Sequence, residues 1–321
     1  MYCKGQLVQL QHDASILRSA GLHLAAISYD SSGVLSEFAK RKSIMFPLLS
    51  DHESEVIRAY GLADRRYRKG MQLDVYKEQV SMYTEGNVPV FGLSYPAVFV
   101  LARDHRVKWR FVSEGSELRL TGAAILEEAV GGIADESRTP VPSRNIQVTA
   151  TATNTSVGLG NRIRIAVELK IPKGFHVYSS EVGSDYKGIS WQMDPTDCLS
   201  IGEPTYPKPQ WKLMKSTGEN LPVYEGSLRI TREIIVKPAL KATDPSLFKL
   251  FSDVCLDPSS HIKASGALMF QACDEQRCYP PQTVRPQWKF LFFPPDRQRS
   301  PDDLKREFEE LQPKHVNPRP R

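Results

Sequence analysis

The sequence predicts two successive folds: an α/β domain followed by an all-β sandwich. Three observations lead there. Up to about residue 133, short apolar strands alternate with helical stretches and close with a hairpin and a helix, as in an α/β sheet domain. From Asn145 onward the hydrophobic period shortens: Ile163, Ile165, Val167 and Leu169 alternate with Arg162, Arg164, Ala166 and Glu168. Between the two, Asp135 to Arg144 is polar and carries Pro140 and Pro142, which reads as an exposed linker. The expected division is 1–134, a linker at 135–144, a sandwich at 145–294, and a charged helix and tail at 295–321.

In the first part, Leu7, Leu10, Ala14 and Leu17 share one face of a helix over residues 4–19, and Gly21 ends it. Leu22 to Tyr29 is nearly all apolar, as a buried parallel strand is. Ser31 and Ser32 can cap a helix whose inner face is Val34, Leu35, Phe38 and Ala39. Phe46 to Asp51 is a short strand or turn, and a further helix carries Val56, Ile57 and Tyr60 before Gly61. Residues 62–94 are charged and irregular, an insertion with at most one helix. Ala97 to Leu101 and Val107 to Phe111 flank Arg103-Asp104-His105-Arg106 and form a hairpin. Thr121 caps a closing helix that runs through Val130. In the second part, short strands with Pro and Gly turns indicate a sandwich with no clear helix between 145 and 293. Residues 301–311 form a charged helix with an acidic start.

Composition narrows the function classes. The 321 residues suffice for two separate cores. The net charge of +5 comes from 42 basic and 37 acidic residues spread along the chain, with no basic stripe interleaved with aromatics, which argues against nucleic-acid binding. No apolar run approaches the ~20 residues of a transmembrane helix. There is no Gly-rich phosphate loop, zinc signature or Ser-His-Asp pattern, so no cofactor or metal is expected. The five cysteines, Cys3, Cys198, Cys255, Cys273 and Cys278, are too few and odd in number for a disulfide scaffold. Cys198 and Cys255 read as small buried hydrophobes.

The chemistry concentrates at Phe270 to Pro281. Cys273 and Cys278 bracket Asp274-Glu275-Gln276-Arg277, with a strand-like Ala267-Leu268-Met269-Phe270 before them and Tyr279-Pro280-Pro281 after. Two antiparallel strands joined by a short loop would put one cysteine at each end of that loop. Opposed residues on such a ladder lie about 4.5–5.5 Å apart, within disulfide range. Three roles stay open: a redox pair, a staple and half of a metal site. A ring this small stabilises by only about 2 kcal/mol as a staple. A short, solvent-reachable pair fits redox exchange better, and the lack of a second ligand pair disfavours zinc.

This hairpin resembles the active-site hairpin of the N-terminal periplasmic domain of DsbD-type thiol–disulfide reductases. The resemblance covers roughly Asn145 to Phe293 and implies an immunoglobulin-like β-sandwich. In that family the pair accepts electrons from a thioredoxin-like domain and passes them to partner proteins. Gly174-Phe175-His176-Val177-Tyr178 resembles the aromatic strand beside the cysteines, and Leu221-Pro222-Val223-Tyr224-Glu225-Gly226 stands where the family has a cap loop. The implied partner-facing residues are Tyr178, Val223, Tyr224 and Tyr279. Val223 and Tyr224 replace the phenylalanine plug usual in that cap. His176 reads as a partly exposed member of the aromatic strand.

The first part resembles the thioredoxin-fold family of alkyl hydroperoxide reductases and thiol-specific antioxidants over residues 1–133. The carrying segments are Cys3 to Gln11, Ala26 to Asp30, Phe46 to Asp51 and Tyr95 to Leu101. Cys3 matches the second cysteine of a Cys-x-x-Cys-Lys motif, so the first would lie immediately before Met1. Pro96 matches the family's cis-proline, which presents backbone to the substrate.

The expected function is thiol–disulfide exchange in the periplasm or another extracytoplasmic space, with the cytoplasm as the alternative compartment. Cys273, Cys278 and Cys3 are the catalytic candidates. Partners are a thioredoxin-like protein or domain and disulfide-bearing substrates. Two rivals stand beside it: a peroxiredoxin-like enzyme acting on peroxides through a sulfenic acid, and a redox-inactive adaptor. Asp274 and Glu275 oppose thiolate formation at the hairpin, and Arg277 favours it.

Overall fold

The computed structural model describes residues 2–63, 94–114, 118–132, 135–183, 185–214, 217–237 and 245–295. The expected insertion at 62–94 and helix at 301–311 lie almost wholly outside these residues. The chain divides into two compact units, one up to Gly122 and one from Ala123 to Pro294.

The first unit alternates helices and strands. Helices α1 (Tyr2–His12) and α2 (Ala14–Ser19) replace the single helix expected. The break falls at Asp13, whose buried carboxylate accepts from Gln9 Nε2 at 3.0 Å and from the Gly122 amide at 2.6 Å. Strand β1 (Ala26–Ser28) pairs in parallel with β2 (Leu48–Ser50), as expected of this stretch, although β1 is much shorter than the apolar run. Between them lies α3 (Ser32–Lys42). Ser31 accepts at its side chain from the Val34 amide and so satisfies one orphan donor of the first turn. Leu35 and Phe38 form the buried face of α3. Helix α4 (Glu55–Ala59) follows, and β3 (Ala97–Leu101) and β4 (Val107–Val112) form the expected antiparallel hairpin. A two-residue strand, β5 (Arg119–Leu120), leads to helix α5 (Gly122–Val130).

Pro96 corrects an expectation. Among the described residues no peptide bond is cis. Its carbonyl accepts from the Ser113 amide at 2.9 Å, so Pro96 opens the hairpin as an ordinary trans, strand-initiating proline.

Helix α5 marks a second difference. It was expected to close the first part, yet from Ala123 onward it belongs to the second unit. Charge pairing accounts for this: Glu127 meets Arg164 at 2.6 Å and Glu128 meets Arg162, both on a strand of the second unit. The expected linker is likewise built into that unit. Residues Ser137–Val141 form β6, and Asp135 makes a two-pronged pair with Arg229, both contacts at 2.8 Å. Pro140 obscured the strand, but proline is tolerated where β6 sits, at a sheet edge.

The second unit is built mainly of strands. They are β7 (Gln147–Ala152), β8 (Ser156–Val157), β9 (Asn161–Lys170), β10 (His176–Tyr178), β11 (Ser190–Met193), β12 (Leu199–Ile201) and β13 (Gln210–Leu213). After them come β14 (Asn220–Tyr224), β15 (Ser227–Val236), β16 (His261–Phe270), β17 (Ala272–Cys273), β18 (Gln282–Val284) and β19 (Gln287–Phe292). Three sheets result, in the orders β12-β15-β9-β7-β6, β11-β16-β19-β8 and β13-β14-β10-β17. Strict alternation buries one side of the long strands: Ile163, Ile165, Val167 and Leu169 on β9, Leu228, Ile230 and Ile234 on β15, and Trp288, Phe290 and Phe292 on β19. The Trp288 indole donates to the Thr151 carbonyl at 2.7 Å and ties β19 to β7. Gly226, at φ +70°, makes the left-handed turn that passes the chain from β14 in one sheet to β15 in another.

One helix interrupts these strands where none was expected: α6 (Pro245–Cys255). Proline at the first helical position is its local signature. Phe251 packs on Phe292 with ring centroids 5.3 Å apart. The helix delivers Cys255 to Cys198, and the two form a disulfide with Cα atoms 5.5 Å apart. They are therefore a bonded pair and not merely small apolar residues. Their separation of 57 residues corresponds to about 4 kcal/mol in the chain-entropy relation. A Cys198→Ala, Cys255→Ala chain is expected to unfold at clearly lower denaturant concentration than the parent. An unchanged midpoint would deny the bond a stabilising role.

Candidate functional site

The four-stranded sheet carries the hairpin cysteines. Strand β16 leads into β17, and the ladder folds back at Asp274 to Arg277. The Asp274 amide donates to the Arg277 carbonyl at 2.9 Å, and the Tyr279 amide donates to Ala272 at 2.9 Å. Cys273 and Cys278 face each other as a bridge pair between these two bonds. The tight turn draws their Cα atoms to 4.0 Å, and their sulfurs form a disulfide.

Asp274 holds the turn. Its Oδ1 accepts from the amides of Gln276 and Arg277, each at 2.8 Å, and its Oδ2 accepts from the Tyr279 hydroxyl at 2.9 Å. This is the local bonding for which Asp is favoured in turns. The amides of Gln276 and Arg277, then the Tyr279 hydroxyl, hold its carboxyl below the usual aspartate range. Its charge was expected mainly to oppose thiolate formation, but its oxygens are spent on the turn. Two contacts hold the Tyr279 ring: Arg277 lies over it at 4.8 Å, and the Phe175 ring stacks on it at 5.7 Å.

The two sulfurs differ in access. Cys273 is 1% exposed, whereas Cys278 is exposed. A solvent-reachable pair was expected; the structure exposes Cys278 and buries Cys273. Strand register explains the burial. On β10, His176 pairs with Cys273 and Tyr178 pairs with Val223 of β14. Residues two apart share a face, and cross-strand partners project to the same side. Tyr178, Val223, Met214 and Cys273 accordingly form one buried cluster, flanked by Val182, Tyr186 and Leu221. The Tyr178 hydroxyl reaches the Cys278 sulfur at 3.6 Å. Burial raises the pKa of this phenol, which keeps its proton available as a donor.

The other expected site residues are distributed as follows. Val223, fully buried, lies on strand β14 and packs in the same cluster as Cys273, and is not part of a loose loop. Tyr224 pairs with Val177, on the face opposite the disulfide, and its hydroxyl donates to the Pro207 carbonyl at 2.9 Å. Cys3 and Pro96 belong to the first unit. Cys3 is a free, exposed thiol whose sulfur accepts from Arg119 Nη2 at 3.1 Å.

His176 was underestimated. It is only 3% exposed, and neither ring nitrogen has a hydrogen-bond partner. Burial, followed by the Lys212 charge, lowers its pKa, while Glu225 and Asp274 act in the opposite sense. The sequence holds one signal for it: two residues before Tyr178, it must share that residue's face if the stretch is a strand.

The two parts of the chain match two different protein families. Residues 1–110 match the AhpC/TSA family. Residues 143–287 match the family described as thiol:disulfide interchange protein DsbD, N-terminal. No curated protein matches the chain. Among solved structures, the N-terminal periplasmic domain of ScsB from Proteus mirabilis is 16% identical, over 55% of this chain and 57% of that one, with a TM-score of 0.31. The chain thus spans little more than half of that ScsB domain. The reduced DsbD N-terminal domain of Neisseria meningitidis is 17% identical, over 47% of this chain and 90% of that one, with a TM-score of 0.27. No helix among the described residues is long and apolar enough to cross a membrane.

The turn generates a prediction. A carboxyl depressed on folding stabilises above its unfolded pKa of about 4, and that contribution is lost as pH falls through the lower folded value. The amides of Gln276 and Arg277 are expected to exchange slowly relative to intrinsic rates near pH 5 and to lose that protection in acid. Asp274→Ala is expected to remove it at both. Unchanged protection in Asp274→Ala, read by hydrogen exchange, would contradict the role given to this carboxylate. The chain thus matches the AhpC/TSA family over residues 1–110 and, after it, the DsbD N-terminal family over residues 143–287.

Proposed function

We propose that the chain is a thiol–disulfide oxidoreductase whose working pair is Cys273 and Cys278. The observation that carries this reading is the unequal access of the two sulfurs across a four-residue turn. Exchange proceeds by thiolate attack on one disulfide sulfur. A thiolate of a thioredoxin-like partner attacks the exposed Cys278 sulfur. A mixed disulfide forms, and the electron pair of the broken S–S bond leaves on Cys273. The partner's second thiol gives up its proton and attacks the partner's own sulfur in the mixed disulfide, releasing Cys278. The hairpin gains two electrons, one proton from the partner's second thiol and one from solvent, and the partner becomes a disulfide. The reverse sequence passes the electrons to a disulfide-bearing substrate.

The finer assignments follow from the same reading. We take the second unit as an immunoglobulin-like sandwich and the first as a thioredoxin-like domain, in keeping with their family matches. The Cys198–Cys255 bond supports an oxidising, extracytoplasmic compartment, since such bonds are rare where glutathione keeps thiols reduced.

One contact favours a second reading. The guanidinium of Arg119 on the Cys3 sulfur suits a thiolate that attacks a hydroperoxide, giving a sulfenic acid and an alcohol, which a dithiol then returns to thiol with release of water. Peroxide consumption with a dithiol donor, lost in Cys3→Ser, would mark that activity. Neither activity would leave the adaptor reading.

Single-cysteine variants in a Cys3→Ala chain, which lacks the other exposed thiol, test the exchange order. Cys273→Ser leaves the accessible sulfur and is expected to accumulate a stable mixed disulfide with a thioredoxin lacking its resolving cysteine, once Cys278 is activated as a mixed disulfide with a small thiol. Cys278→Ser, treated alike, is expected to trap little. Equal trapping, or trapping through Cys273 alone, on non-reducing gels would reverse the assignment.

A further inference from the structure

A buried polar group without a partner costs free energy, and its retention calls for an explanation. His176 is such a group, with both ring nitrogens unpaired in a residue only 3% exposed. It stands directly across the strand pair from Cys273, the sulfur that is itself buried. Opposed side chains on neighbouring strands have Cβ atoms about 4.5–5.5 Å apart, so a sulfur released from its disulfide can turn toward the ring. We propose that His176 is the hydrogen-bond donor that receives the Cys273 sulfur when the hairpin disulfide opens.

The proposal rests on the exchange reading and deepens it. When a partner thiolate bonds to Cys278, the S–S electron pair moves onto Cys273, which becomes a thiolate enclosed by Tyr178, Val223 and Met214. An unpaired charge in such a place is costly. A neutral imidazole carries one N–H donor and one acceptor nitrogen. The N–H can bond to the thiolate, and the acceptor nitrogen can take up the proton that the partner's second thiol gives up, with the N–H proton passing to sulfur. The disulfide form offers the ring no thiolate, in line with its unpaired nitrogens. Each sulfur then has its own neighbour: Tyr178 at Cys278, as observed, and His176 at Cys273. The charges acting on the ring are Lys212 of β13, Glu225 after β14 and Asp274 after β17.

The test uses two cysteine backgrounds. In a Cys3→Ala, Cys278→Ala chain, Cys273 is the one thiol beside the Cys198–Cys255 bond, and its ionisation is followed by thiolate ultraviolet absorbance. Adding His176→Phe, which keeps an aromatic ring and removes the N–H, is expected to make the thiolate about tenfold harder to form, a rise of about one pH unit. His176→Gln, which keeps an N–H donor, is expected to recover most of that shift. Identical titrations with and without His176→Phe overturn the proposal, as does a Gln variant that behaves like the Phe variant, since the effect is then one of packing. With all five cysteines present, His176→Phe is expected to slow reduction by thioredoxin by a similar factor. A parent chain that thioredoxin fails to reduce overturns the exchange reading, whereas the titration decides the His176 contact by itself.

Discussion

The site depends on a four-residue turn. Asp274 gathers two backbone amides and the Tyr279 hydroxyl, and that bonding holds the ends of two strands close enough for their sulfurs to join. The same ladder that aligns the cysteines aligns β10 beside them. Register alone therefore decides which side chains surround each sulfur: His176 against Cys273, and Tyr178 and Val223 together on the same face. Shift β10 by one residue and Val177 would face the cysteine, because side chains alternate strictly along a strand.

The two disulfides differ along physical lines. Cys273–Cys278 closes a loop with a sequence separation of 5, so little chain entropy is removed, and one of its residues lies open to solvent. Cys198–Cys255 closes a separation of 57, joining the start of the edge strand β12 to the end of α6. Short, accessible bonds are the labile ones, and long-range bonds constrain the unfolded chain most.

What was legible in the sequence was what is local. The hairpin cysteines, the β3–β4 hairpin, the Ser31 cap and the alternation along β9 each rest on residues close in sequence, whose spacing reports their geometry. The Cys198–Cys255 pairing was not legible, because nothing near either cysteine says where the other lies. Pro140 and Pro142 made residues 135–144 look like a linker, since proline is a valid linker signal; only the sheet order reveals that β6 is an edge strand. His176 looked like an exposed strand residue because its burial depends on β14 and β17 lying on either side of it. Family likeness misled at Pro96, where the local strand geometry prevails, and at Tyr224, whose side of the sheet follows from register and not from proximity in sequence.

The central claim is that the hairpin bond is the working one and the long-range bond the structural one. The most direct measurement is a titration of the oxidised wild-type chain with a graded dithiol buffer, each step quenched by alkylation and read by mass spectrometry of the cysteine peptides. The account predicts that Cys273 and Cys278 become alkylated together at mild reducing strength, while Cys198 and Cys255 stay bonded until much stronger reduction. Reduction of Cys198–Cys255 first, or of both bonds over the same range, would contradict it.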